Sequence, residues 1–182
     1  MSITLNDLLK PAAKSGLTLG LIGIIITLLI YFINAKLLAN MWVGISILIV
    51  SLALVVMFGM SYRKQVGGYL SFKNAFLYSF ILLLVAGLIG QSFNFILFNV
   101  IDPDLPQLVT DAALENTERM LEKFNVPDEE MDKALERTED QMANQYKIGG
   151  IMKAYLYSII IYAVISLITG AIIKKRNPEE IV

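Results

Sequence analysis

A lysine and a serine, Lys153 and Ser158, are the residues of this chain that come nearest to a catalytic pair. Five positions along a helix do not put two side chains on a common face. Lys153, at the edge of an apolar run, reads more simply as an anchor whose ammonium reaches the water interface. The chain has no His and no Cys. That removes the Ser/His/Asp triad, the thiolate nucleophile, the disulfide and the commonest metal ligand. No Asp stands within the long apolar runs, so proteolysis by paired intramembrane aspartates is excluded. The acidic residues between Asp102 and Lys147 lack the Asp-x-Asp-x-Asp-Gly spacing of a calcium loop and read as a solvated charged face. Gly67-Gly68 is followed by neither Gly-x-Gly-x-x-Gly nor a Lys-Ser/Thr ending, so it is no phosphate loop. The residues therefore assign no catalytic group, cofactor or metal, and the expectation is a non-enzymatic protein with no nucleic-acid partner.

Two quieter patterns remain. Gln91 and Asn94, with Ser92 and Asn99 nearby, recur at roughly helical spacing in an otherwise apolar stretch. They read as interhelical hydrogen-bonding groups, worth about 0.6 kcal/mol each in lipid, or as a polar lining for a small solute. No ionisable residue stands at the middle of any such stretch, which argues against a proton- or ion-coupled transporter. The second pattern is one of small residues: Gly16, Gly20 and Gly23, then Ala86 and Gly90, then Ala163, Ser166 and Gly170. Small residues let helix backbones approach closely in lipid. They predict seams between helices of one chain, with a Gly16-Gly20 homodimer contact as the alternative.

The elements that carry these residues follow from hydropathy. A composition that is 56% hydrophobic, with a mean hydropathy of +0.64, is too apolar for an ordinary soluble domain of 182 residues. A hydrocarbon core roughly 30 Å thick needs about 20 apolar residues per helix. Four stretches satisfy this: 15–35, 37–62, 74–101 and 148–173, the last free of charge from Ala154 on. The first is longer than the apolar core of a signal peptide and reads as a retained anchor. Residues 1–14, 63–73 and 174–182 carry Lys10, Lys14, Arg63, Lys64, Lys73, Lys174, Lys175 and Arg176. The positive-inside rule puts these segments, and both termini, in the cytoplasm. Gly67-Gly68 with Tyr69, Leu70, Phe72 and Phe76 predicts a flexible break followed by a short interfacial helix.

The segment 102–147 lies on the opposite side, and its acidic residues outnumber its basic ones by more than two to one. Asp102-Pro103 ends the third span. Leu105, Val109, Ala112, Ala113, Met120, Leu121 and Phe124 then recur at helical intervals, with Glu115 and Arg119 as an i, i+4 pair. Asn125 to Asp128 interrupts the pattern. A second helix follows with Asp128, Glu129 and Glu130 in its first turn and Met131, Leu135, Thr138, Met142 and Tyr146 on one face. The fold class is thus all-α, an integral membrane protein with four transmembrane helices and an acidic, periplasmic helical hairpin between the third and fourth. Leu105, Met131, Leu135 and Met142 are the candidate partner-binding residues, since a thin hairpin with a Met-rich face suits packing against something else. The expected partners are the lipid bilayer and a membrane or periplasmic protein, or a second copy.

Lys14-Ser15-Gly16-Leu17, the run from Gly67 through Phe76, Ile101-Asp102-Pro103-Asp104 and the closing Lys174-Lys175-Arg176-Asn177-Pro178 occur in this order. With them the chain resembles an uncharacterised bacterial membrane family, domain of unknown function 4199. The resemblance implies a small inner-membrane protein and supplies no activity or catalytic residue. Function then falls between an accessory or scaffold subunit presenting the hairpin and a solute channel or facilitator lined by Gln91 and Asn94.

Overall fold

A computed structural model describes residues 4–176; residues 1–3 and 177–182, including the Asn177-Pro178 pair, lie outside the described residues. Among the described residues there are six α-helices: α1 (Leu5–Asn34), α2 (Met41–Gln65), α3 (Phe72–Ile96), α4 (Leu105–Lys123), α5 (Asp128–Gln145) and α6 (Ile148–Ile173). A 3-10 turn at Ala35–Ala39 follows α1, and a π turn at Leu97–Ile101 follows α3. Extended pairing among them is limited to one antiparallel bridge, Leu70 with Lys175. Counting the attached turns, Leu5–Ala39, Met41–Gln65, Phe72–Ile101 and Ile148–Ile173 are long and apolar enough to cross a membrane.

α1 starts at Leu5, ten residues before the expected span, because Thr4 and Asp7 form a capping box. The Thr4 amide donates to Asp7 Oδ2 at 3.0 Å, and the Asp7 amide donates back to Thr4 Oγ1 at 3.4 Å. α2 closes in a Schellman arrangement: Gly68 N–H bonds the Arg63 carbonyl at 2.8 Å and Gly67 N–H the Lys64 carbonyl at 3.4 Å. Both glycines have positive φ, at 95° and 84°, where a side chain would be strained. The short interfacial helix expected after them does not form. Leu70 instead exchanges two 2.9 Å backbone bonds with Lys175, and the helix that begins at Phe72 continues directly as α3.

The chain divides into two compact units. The first comprises the described residues up to Gly23, Leu48–Gly90, and the described residues from Tyr155 on. Its core holds Leu8, Ala12, Val55, Tyr62, Leu70, Tyr78, Leu82 and Ile173. The Tyr62 and Tyr78 rings stack at 4.6 Å, and Arg63 donates to the Ile173 carbonyl at 2.7 Å, satisfying a helix-end acceptor.

The second unit comprises Ile24–Ile47 and Gln91–Ala154. Here α4 and α5 form a hairpin, and α4 also packs on the 3-10 turn. The hairpin bend is a second Schellman closure. Asn125, at φ 52°, takes the left-handed position; its N–H bonds Glu122 O at 2.9 Å while Val126 N–H bonds Leu121 O at 3.1 Å. Glu115 and Arg119 form their ion pair, exposed and worth little on its own.

Candidate functional site

Within the second unit the π turn brings Asp102 N–H onto the Leu97 carbonyl and sets Asp102 at the root of the hairpin. Asp102 Oδ1 accepts from the Leu105 and Asp104 amides, at 3.1 and 3.3 Å, capping the start of α4. Its Oδ2 accepts from the Tyr31 hydroxyl at 2.9 Å. The other arm is fixed from the π turn: Asn99 Nδ2 donates to the Tyr146 carbonyl at 3.0 Å, and the Phe98 and Tyr146 rings stack at 4.4 Å. Burial pushes the Tyr146 phenol above its ordinary pKa. Leu97, Phe98, Leu105 and Val109 make the apolar core of this root, with Tyr31, Leu38, Met142 and Tyr146 packed against it.

This changes the roles expected of the apolar stripe. Leu105 is 1% exposed and so offers no surface to a partner, because the Asp102 cap turns it into the root core. Met142 packs on that same core. Met131 and Leu135 are half-buried, with Ala134 and Thr138, on one stripe of α5, and α4 is the helix α5 packs on. The apolar side chains left open on the hairpin are others: Phe124 at the bend, 73% exposed, Met120 one turn before it, 44% exposed, and Leu108. Phe124 was visible in the sequence as the last member of the α4 stripe. What the period did not convey is that the Schellman closure carries it past the point where α5 can cover it.

Gln91 and Asn94 are brought together. With Thr27, Gln145 and Tyr146 they line a cavity of about 320 Å³ whose apolar walls include Leu38, Phe98 and Val109. Amides and hydroxyls offer both donors and acceptors without charge. Such a lining suits water or a small neutral polar molecule. Thr27 and Gln145 were the residues sequence reasoning missed. Thr27 is a hydroxyl in the middle of the first apolar run, which is the signal that marked it.

The small residues behave unequally, all within the first unit. A Cβ on Gly16 would lie 2.5 Å from the Leu82 carbonyl oxygen, one on Gly20 2.9 Å from Ile89 Cβ, and one on Gly170 3.0 Å from the Phe76 nitrogen. These are close helix approaches. Ser166 is fully buried. Gly90 and Gly23 meet nothing within 4 Å, so the role expected of Gly90 is not a packing one. Gly87, three residues earlier and turned toward the Tyr162 ring, and Gly59, against Ile173, make the contacts instead.

The model of the family described as "Protein of unknown function (DUF4199)" matches residues 14–175. The chain belongs to that family. No curated protein and no solved structure matches it significantly. Its four long apolar helices suggest a multi-pass protein of a lipid bilayer.

Proposed function

We propose that this member of the family is a non-enzymatic, multi-pass protein of the bacterial inner membrane, with both termini cytoplasmic. Its periplasmic hairpin acts as the recognition element of an accessory or scaffold subunit. The observation that carries the reading is the contrast between the two ends of the hairpin. Its root is fastened to α1 and the π turn by Tyr31–Asp102 and Asn99–Tyr146, while its bend leaves Phe124 and Met120 open beside acidic arms. An exposed aromatic flanked by charge is the form protein-recognition anchors take. The orientation is supported by Lys10, Lys14, Arg63, Lys64, Lys73, Lys174, Lys175 and Arg176, all of which belong to the first unit, whereas the acidic hairpin belongs to the second. Replacing Phe124 and Met120 with Ser should abolish recovery of a co-purifying protein, or of a second copy, while the variant reaches the membrane at the parent level. Unchanged recovery would remove the reading.

A second reading is favoured by one specific observation, the convergence of Gln91, Asn94, Thr27 and Gln145 on one cavity. It makes the protein a facilitator or binding protein for a small neutral solute. Gln91→Leu with Asn94→Leu would then change solute uptake by vesicles containing the protein, and leave partner recovery intact.

A further inference from the structure

The first unit contains a groove of about 450 Å³ between α1 and α2, with Tyr78 of α3 in its lining. From α1 it takes Lys10, Lys14 and Ser15, and from α2 Ser61 and Gln65. Lys10 and Lys14 are four residues apart, as are Ser61 and Gln65, so each pair faces one way along its helix. The donors available there are the Lys10 and Lys14 ammonium groups, the Gln65 amide and the Ser61 hydroxyl, since Ser15 and Tyr78 bond each other at 2.7 Å, Thr18 donates to the Lys14 carbonyl and Tyr62 to the Asp7 carbonyl. Among the described residues no carboxylate lines the groove. Asp7, the acidic residue nearest in sequence, has its carboxylate occupied by the Thr4 amide and hydroxyl. Three other cations of this unit are engaged elsewhere. Arg63 bonds the Ile173 carbonyl, Lys174 lies 5.8 Å from the Phe72 ring centre and Lys175 5.4 Å from that of Tyr69. Among the described residues neither Lys10 nor Lys14 forms an ion pair.

We infer that this groove binds a phosphate group, with Lys10 and Lys14 supplying charge and Ser61 and Gln65 supplying hydrogen bonds from the facing helix. Lys14 immediately precedes the apolar run that starts at Ser15, which sets the two lysines at the depth of lipid headgroups. The phosphate is therefore that of an anionic phospholipid, since basic pockets between helices on the cytoplasmic side take such headgroups. The inference rests on the membrane reading above.

Purified protein in a non-ionic detergent is titrated with phosphatidylglycerol or cardiolipin, with zwitterionic phosphatidylethanolamine, and with inorganic phosphate. Bound lipid is counted by native mass spectrometry, and the thermal midpoint is followed in parallel. The expected result is selective retention of the anionic lipids with a raised midpoint. Lys10→Gln with Lys14→Gln should weaken that retention by roughly tenfold or more, while Lys64→Gln with Lys73→Gln, outside the groove, leaves it unchanged. Gln65→Ala, which keeps both charges, should weaken it less and guards against a double variant that misfolds. If inorganic phosphate alone gives the groove-dependent shift, the site takes soluble phosphate rather than lipid. Equal loss in the Lys64/Lys73 variant, or no preference for anionic lipid in the parent protein, overturns the inference. A protein that stays soluble without detergent overturns the membrane reading instead.

Discussion

The Tyr31 hydroxyl donates a 2.9 Å hydrogen bond to the Asp102 carboxylate, joining the end of α1 to the root of the hairpin across 71 residues of chain. Because the same carboxylate also caps α4 through the Leu105 amide, one side chain aligns two elements. Tyr31→Phe keeps the ring and deletes the donor. A hydrogen bond to a charged acceptor in a half-buried setting contributes about 1 to 2 kcal/mol, so the thermal midpoint in detergent should fall. Limited proteolysis should also open sites near the root before those at the bend. An unchanged digestion pattern would mean the root is held without the Tyr31 bond, by the Asn99–Tyr146 bond, the Phe98–Tyr146 stack and its apolar core.

The glycines divide into two classes that substitution separates. Gly16→Ala puts a methyl 2.5 Å from the Leu82 carbonyl oxygen, a contact that no rotamer relieves, and should cost about 1 to 3 kcal/mol by overpacking. Gly23→Ala and Gly90→Ala meet open space and should be neutral or stabilising by up to about 1 kcal/mol, through helix propensity. Denaturation of the three variants in one detergent orders them, and loss of stability at Gly90 comparable with that at Gly16 would contradict the packing described.

Ser79 and Ser166 are fully buried, and their hydroxyls have no hydrogen-bond partner among the described residues. A buried unsatisfied hydroxyl costs about 1 to 3 kcal/mol, whereas alanine leaves only a small change in volume. Ser79→Ala and Ser166→Ala should therefore raise the thermal midpoint, an unusual direction for substitutions in a helix core. A fall at both positions would show that these hydroxyls have acceptors in the protein as it exists in lipid.

Much of this fold was legible before any coordinates. Runs without charge between Lys14 and Lys36, or Lys153 and Lys174, set the long helices, because length and absence of charge are properties of the chain itself. The bend was legible as the interruption of the apolar pattern from Asn125 to Asp128, though not the left-handed backbone that Asn125 takes there. The start of α1 was legible too, in Thr4-x-x-Asp7, yet helix and apolar run were read as the same thing. The helix continues wherever its amides are capped, whatever the hydropathy.

The site was less legible, because it depends on which faces meet. The spacing of Gln91 and Asn94 placed them on one face of α3, but nothing local paired them with Gln145, more than fifty residues away. Leu105 and Phe124 lie on the same periodic stripe and end in opposite environments, one in the root core and one in the open. The difference comes from the Asp102 cap and the Schellman closure at either end of α4, and periodicity carries no record of either.

The most direct test of the proposed recognition role is site-specific photocrosslinking in intact membranes, with a photoreactive phenylalanine analogue at position 124 and, separately, at the exposed position Glu118. The account predicts a discrete protein adduct from position 124, to a partner or to a second copy, and none from position 118. No adduct from position 124, or the same diffuse labelling from both positions, would contradict it.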